Sequence, residues 1–180
     1  MKLVICAVMT YIRLLVMKYI LGRNKLIINK RVAFGKNSVL NVEKKASVVF
    51  NGQFVTRRNV DITIENDAQF IAGDKVFVNS NCLMSAHKSI IIGDRVQFGP
   101  GCMIFDHDHD YRADVDKRNK TFLVEAIEIG SDTWIGANTI ILRGSKIGNN
   151  CVIGAGCVIK EAIPDNTVYI QKRQKIVFNK

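Results

Sequence analysis

What this chain of 180 residues has little of narrows its reading before any motif is considered. Acid is scarce: 26 lysines and arginines outnumber 16 aspartates and glutamates, for a net charge of +10. That balance favours an acidic partner, such as a phosphorylated cofactor, an acidic glycan, anionic lipid or nucleic acid. No compact basic helix is interleaved with aromatics, which argues against a nucleic-acid module. The basic excess is spread over both ends instead (Lys18, Arg23, Lys25, Lys30 and Arg31; Lys172, Arg173, Lys175 and Lys180). CxxC spacing is absent. The five cysteines (Cys6, Cys82, Cys102, Cys151 and Cys157) read as small buried residues in a reducing compartment, not as a disulfide framework or zinc site.

A long hydrophobic run is also missing. The longest uncharged stretch near the N-terminus, Leu3 to Ile12, is ten residues. That is too short to span a bilayer, and Arg13 and Lys18 interrupt the apolar residues beyond it. No secretory-type cleavage site comes after it. Residues 1–24 read as an amphipathic helix with Lys2, Thr10, Arg13 and Lys18 on one side and a broad apolar face on the other. Two roles stay open. The helix packs on its own domain or a neighbouring subunit, or residues 1–21 make peripheral membrane contact beside the basic cluster.

What the chain does have is a repeat. From Ile129 it reads IGSDTW, IGANTI, ILRGSK, IGNNCV, IGAGCV, IK, with isoleucine at 129, 135, 141, 147, 153 and 159. Glycine follows at 130, 136, 148 and 154, and a small residue stands four places after the first five isoleucines: Thr133, Thr139, Ser145, Cys151 and Cys157. A period of six fits neither a helix nor a plain strand. It fits a coil of three short flat strands, with one aliphatic side chain per six residues pointing into a narrow prism, a small residue filling the remaining space and glycine serving the turn. The phase continues upstream through Phe98-Gly99, Ile92-Gly93, Cys82, Val76, Phe70 and Ile64, and more weakly through Leu40 and Phe34-Gly35, with a slip between Cys82 and Ile92. The expected fold is all-β, a β-helix solenoid.

These hexapeptides resemble the left-handed parallel β-helix acyltransferases, and most of all the galactoside, maltose and polysaccharide O-acetyltransferase branch. The resemblance covers residues 60 to 170 well and the N-terminal part poorly. It supplies the hand, which the period does not fix. With the helix read over 1–24, the resemblance implies a left-handed β-helix over 25–163 with a catalytic loop at 105–122, followed by a C-terminal tail at 164–180.

A regular solenoid has nowhere obvious for chemistry, so function belongs where it is interrupted. The largest interruption, Phe105 to Phe122, opens with DHDHD. In an extended segment His107 and His109 project to one side, and Asp106, Asp108 and Asp110 to the other. Paired histidines can chelate a metal, but the only other histidine is His87 and no further ligand is evident on that side. By the resemblance, such a loop closes over the cleft between subunits of a homotrimer and carries the catalytic histidine near its start. Counting from the IGD turn at Ile92 places that histidine on His109, with His107 as its competitor. Imidazole suits a base that takes the proton of an attacking hydroxyl. Asp106, Asp108, Asp110, Glu125 or a backbone carbonyl remain alternatives for the group that orients it, and Asp106 is also a candidate acceptor contact.

The resemblance further implies acetyl-CoA as co-substrate, with no metal, lying along the C-terminal coils. Trp134, Ala137, Gly154, Ala155 and Gly156 are its candidate contacts, and Lys160, Lys172 and Arg173 candidate phosphate partners. The ending "IPDNTVYIQKRQKIV" lacks the family's Gly-x-Pro-Ala. Asn79 falls at a sugar-binding position, and His87 where the galactoside enzyme has an acid, which suits an acidic glycan acceptor. The expected protein is a cytoplasmic O-acetyltransferase acting on a sugar of a capsule or lipopolysaccharide or its precursor, with peripheral contact at the inner membrane face left open with the role of residues 1–21. An N-acetyltransferase for a nucleotide-linked amino sugar and a non-catalytic scaffold are the alternatives.

Overall fold

The computed structural model describes residues 12, 14–16, 19, 25–114 and 121–172. Residues 12, 14–16 and 19 are helical, and Leu14 is buried in the core. From Lys25 onward the chain winds through strands of two to four residues that fall in turn on three flat parallel sheets, here called faces A, B and C. Face A stacks seven strands from Leu26–Ile28 to Ala162–Ile163, face B seven from Val32–Ala33 to Val168–Tyr169, and face C six from Val39–Val42 to Val158–Ile159. The chain therefore keeps coiling past residue 163, where Val168–Tyr169 pairs with Val152–Ile153.

The isoleucines of the repeat are the interior. Ile129, Ile135, Ile141, Ile147, Ile153 and Ile159 are all buried, and each contributes on the order of 1.5–3 kcal/mol by leaving water. The small partners are buried beside them, and their chemistry has a reason that size alone does not give. The Thr133, Thr139 and Ser145 hydroxyls donate to the carbonyls of Gly148, Gly154 and Ile159 in the next coil, at 3.0, 3.1 and 3.1 Å. The Cys82 and Cys102 thiols do the same toward Gly99 and Gly136. Carbonyls that leave the ladder at a corner are thus satisfied from inside the prism.

Gly130, Gly136 and Gly148, each after an isoleucine, are needed for space, not for backbone sign: a Cβ there would lie 2.4–2.5 Å from the neighbouring coil. Among the described residues the left-handed conformation falls mainly on asparagine and aspartate two residues later, as at Asp132, Asn138 and Asn150. A Cβ on Gly148 would lie 2.4 Å from Asp165 Oδ1. That oxygen accepts the Asn149 N–H from the neighbouring coil at 2.7 Å. The pattern repeats along the corner: Asp74, Asp94, Ser131, Asn149 and Asp165 each accept an N–H from the coil before, from Gln53, Asp74, Asp94, Ser131 and Asn149 in turn. IG followed by Asp, Ser or Asn encodes three of these rungs, and AGD and IPD encode the other two.

Candidate active site

Two corners flank face C, and the sequence-derived site residues divide between them. At the corner between faces C and A the chain leaves the solenoid after Phe105. His107–His109 runs antiparallel to Phe122–Val124, with His107 opposite Val124, Asp108 opposite Leu123 and His109 opposite Phe122. This hairpin arm is clamped to the coils on both sides. Below, Asp106 is fully buried, and its carboxylate accepts the N–H groups of His87, Lys88 and Ser89, all at 2.7 Å. Above, Arg143 donates through Nε to Asp108 at 2.6 Å and lies 3.7 Å from Glu125. One arginine thereby holds both strands of the arm.

The clamps bring all three histidines together around Phe122. The His87 and His107 rings stack with centroids 3.6 Å apart, and Phe122 lies 4.5, 5.4 and 4.7 Å from His87, His107 and His109. His107 Nδ1 is 3.3 Å from Asp106 Oδ1. Burial, reinforced by the neighbouring His107 imidazole, holds His87 below the usual histidine pKa, so its neutral form is favoured. His109 is the exposed member of the group. The two arm histidines share a side, as alternation requires.

Among the described residues the carboxylates of this corner have other partners than His109. Asp106 serves the 87–89 corner and His107, Asp108 and Glu125 serve Arg143, and Asp110 accepts the Arg112 N–H of its own turn. Asp106, a candidate acceptor contact, is sealed from solvent and works as an internal brace. Arg143 and Phe122 escape a reading of the sequence alone. One signal is present: ILRGSK is the hexad whose isoleucine is not followed by glycine. Its glycine, Gly144, sits instead at φ +77 beneath the Glu125 carboxylate, with Arg143 beside it. Among the described residues no three metal-ligating side chains converge.

The corner between faces B and C holds the small residues. Ala137, Gly154, Ala155 and Gly156 stack there, the Gly156 N–H bonding the Ala137 carbonyl at 2.7 Å, and a Cβ on Gly136 would lie 2.5 Å from the Ala155 nitrogen. Trp134 projects from the adjoining strand of face B, 55% exposed. Asn79 belongs to the same corner, at the end of Val76–Val78, and its Oδ1 accepts the Ser80 N–H at 2.8 Å. Strand Leu83–Ala86 separates Asn79 from His87. Lys160 and Lys172 are exposed, and Arg173 lies outside the described residues. The Gln171 amide caps the strand Val158–Ile159, accepting the Val158 N–H and donating to its carbonyl at 2.8 and 2.7 Å. Between the corners, face C turns an apolar ladder outward. Leu83, Met103, Ile140 and Val158 stand in register, with Leu83, Met103 and Val158 exposed.

Fold and site together define a parallel β-helix of hexapeptide coils with an imidazole-bearing arm at one corner. Residues 126–161 match the model of the bacterial transferase hexapeptide family (six repeats). Residues 126–161 thus carry the hexapeptide repeat of that family, and the fold is the left-handed parallel β-helix. A galactoside O-acetyltransferase of Lactococcus lactis is 35% identical over 53% of this chain and 46% of its own. A provisionally named lipopolysaccharide biosynthesis O-acetyl transferase of Escherichia coli is 26% identical over 76% of this chain and 74% of its own. The crystal structure of a hexapeptide-repeat acetyltransferase from Vibrio cholerae complexed with acetyl-CoA superposes with a TM-score of 0.51 and 26% identity, over 74% of this chain and 62% of that one. The chain spans about half the length of two of its curated relatives, 56% and 46%.

Proposed function

We propose that the chain is an acetyl-CoA-dependent O-acetyltransferase that acetylates a sugar hydroxyl of a bacterial surface polysaccharide or its precursor, in the cytoplasm. The observation that carries this reading is the exposed imidazole of His109, held on a clamped arm beside two further histidines. His109 takes the proton of the acceptor hydroxyl as its oxygen attacks the thioester carbonyl. The tetrahedral intermediate then collapses, the carbon–sulfur bond breaks, and the thiolate of CoA leaves and regains a proton. His107, braced by Asp106, supports the arm. The co-substrate is read as lying along the corner of Ala137, Gly154, Ala155 and Gly156 with Trp134 beside it, where small side chains let a pantetheine arm approach the backbone. Lys160, Lys172 and Arg173 serve its phosphates. Asn79 and His87 serve the acceptor. The outward apolar ladder on face C supports a homotrimer, since a patch of this kind between two half-sites is best covered by a second copy. The names of the Lactococcus and Escherichia relatives support sugar hydroxyls as acceptors.

The test is His109→Ala assayed for acetyl transfer from acetyl-CoA to a panel of glycans, read by mass. Turnover should fall by about 10²–10⁴-fold with the melting temperature unchanged. An unaltered rate removes His109 from the chemistry. Transfer to amino groups alone replaces the O-acetyl reading with N-acetylation.

A further inference from the structure

We infer that the N-terminal end of the solenoid is a docking surface for an anionic lipid bilayer. Leu14 is 5% exposed and belongs to the solenoid core, so the helical residues are seated on the protein by that side. Ile12, Leu15, Val16 and Tyr19 follow the spacing i, i+3, i+4, i+7, which places them on one helix face, opposite Leu14. All four face outward, exposed by 52, 50, 53 and 91%. A stripe of this kind on a seated helix is an apolar surface without a covering element among the described residues.

What surrounds it selects the partner. The first coil is the terminal one, because Leu26–Ile28, Val32–Ala33 and Val39–Val42 each end their sheet. Leu26, Val32 and Leu40 of this coil are buried although no further strand among the described residues covers them, and Leu14 belongs to the same core, so we read the turns of this coil as the rim around the seated helix. From Lys25 to Ala46 that coil carries Lys25, Lys30, Arg31, Lys36, Lys44 and Lys45 against one acid, Glu43. Lys30 is paired with Asp74, and Lys25 is directed onto the Lys44 carbonyl. Arg31, Lys36, Lys44 and Lys45 are exposed. An apolar stripe inside a cationic rim matches acyl chains beneath anionic headgroups, with the Tyr19 ring suited to the boundary between them. A second copy packed about a two-fold axis would instead bring two cationic rims together, which like charges oppose.

The proposal is independent of the catalytic reading, because its test measures binding and not acetyl transfer. The full chain is floated with phosphatidylcholine vesicles with and without phosphatidylglycerol. The chain should float with the anionic vesicles only, and raising the salt from about 0.1 M to 1 M should remove at least about tenfold of the bound fraction. L15E/Y19E and K44E/K45E, both at exposed positions, should each lower flotation by about tenfold or more while melting as the parent does. Failure to float with anionic vesicles at low salt overturns the inference, as does parent-like flotation of L15E/Y19E. So does a drop in oligomer mass of L15E/Y19E by light scattering, which would assign the stripe to a second copy.

Discussion

The two ends of the solenoid are built to different girths. In the N-terminal coils Val48 stacks on Leu26 and Phe70 on Val48, each twenty-two residues later. In the C-terminal coils Ile147 stacks on Ile129 eighteen residues later, and Ile163 on Ile147 sixteen later. Four-residue strands of the wide coils bury two side chains, as in Ser47–Phe50 and Asp61–Ile64, where two-residue strands of the narrow coils bury one. Phe34, Phe50, Phe54 and Phe70 fill the wider prism, with ring centroids 4.8 to 6.2 Å apart. Isoleucine with threonine, serine or cysteine fills the narrower one. The corner chemistry is nevertheless shared: side-chain bonds join Asn59 to Asn81 and Asn150 to Asn166. Girth is set by the interior side chains, and a period of six is what a coil shows when it is narrow.

That contrast can be broken from both ends. Phe54→Ala, in the middle of the aromatic stack, should cost about 3–5 kcal/mol in chemical denaturation, the largest loss expected from a single interior site. Asp106→Ala should come next, at roughly 3 kcal/mol, because three N–H groups, that of buried Ser89 among them, lose their acceptor at once. It should also release the arm, so faster proteolysis within 107–124 than in the parent is the second readout. Ile153→Phe asks whether the narrow prism accepts what the wide one uses. Overpacking should destabilise it by about 1–3 kcal/mol, and a neutral outcome would refute the dependence of girth on side-chain size.

The smallest effect concerns pH. His87 is held below its usual pKa by burial and by His107. The folded state therefore binds a proton less readily than the unfolded chain, whose histidines titrate near about pH 6.5. Stability from the neutral ring is present above that value and is lost as pH falls through the lowered folded pKa. His87→Gln should flatten the decline in melting temperature between about pH 7 and pH 5. An identical decline in both proteins would show that other groups cause it.

The narrow coils and the break at Phe105 are legible in the sequence because each isoleucine answers to one local rule, inward or outward. The wide coils are legible only weakly, since a coil of twenty-two residues has no constant spacing between its buried positions. The site is legible as a set of polar residues at an interruption, and the shared side of His107 and His109 comes from strand alternation. The partners of those residues are not legible. Asp106 meets the 87–89 corner only because the next coil lies one strand spacing away, and Arg143 meets Asp108 across thirty-five residues. Glycine after isoleucine reads as a turn residue, yet at Gly130, Gly136 and Gly148 its role is to leave room for the corner of the neighbouring coil.

By itself the sequence determined the solenoid, its phase over the C-terminal coils, the residues that line it and the point at which it opens. Those are consequences of side-chain size and polarity repeated along the chain, which local steric rules convert into coils. Only the tertiary structure decided that Asp106 is a brace and not a contact, that Arg143 clamps both strands of the arm, and that His87 joins the arm histidines. Each of these depends on which residues become neighbours when coils stack, a distance that the chain does not state until its girth is set.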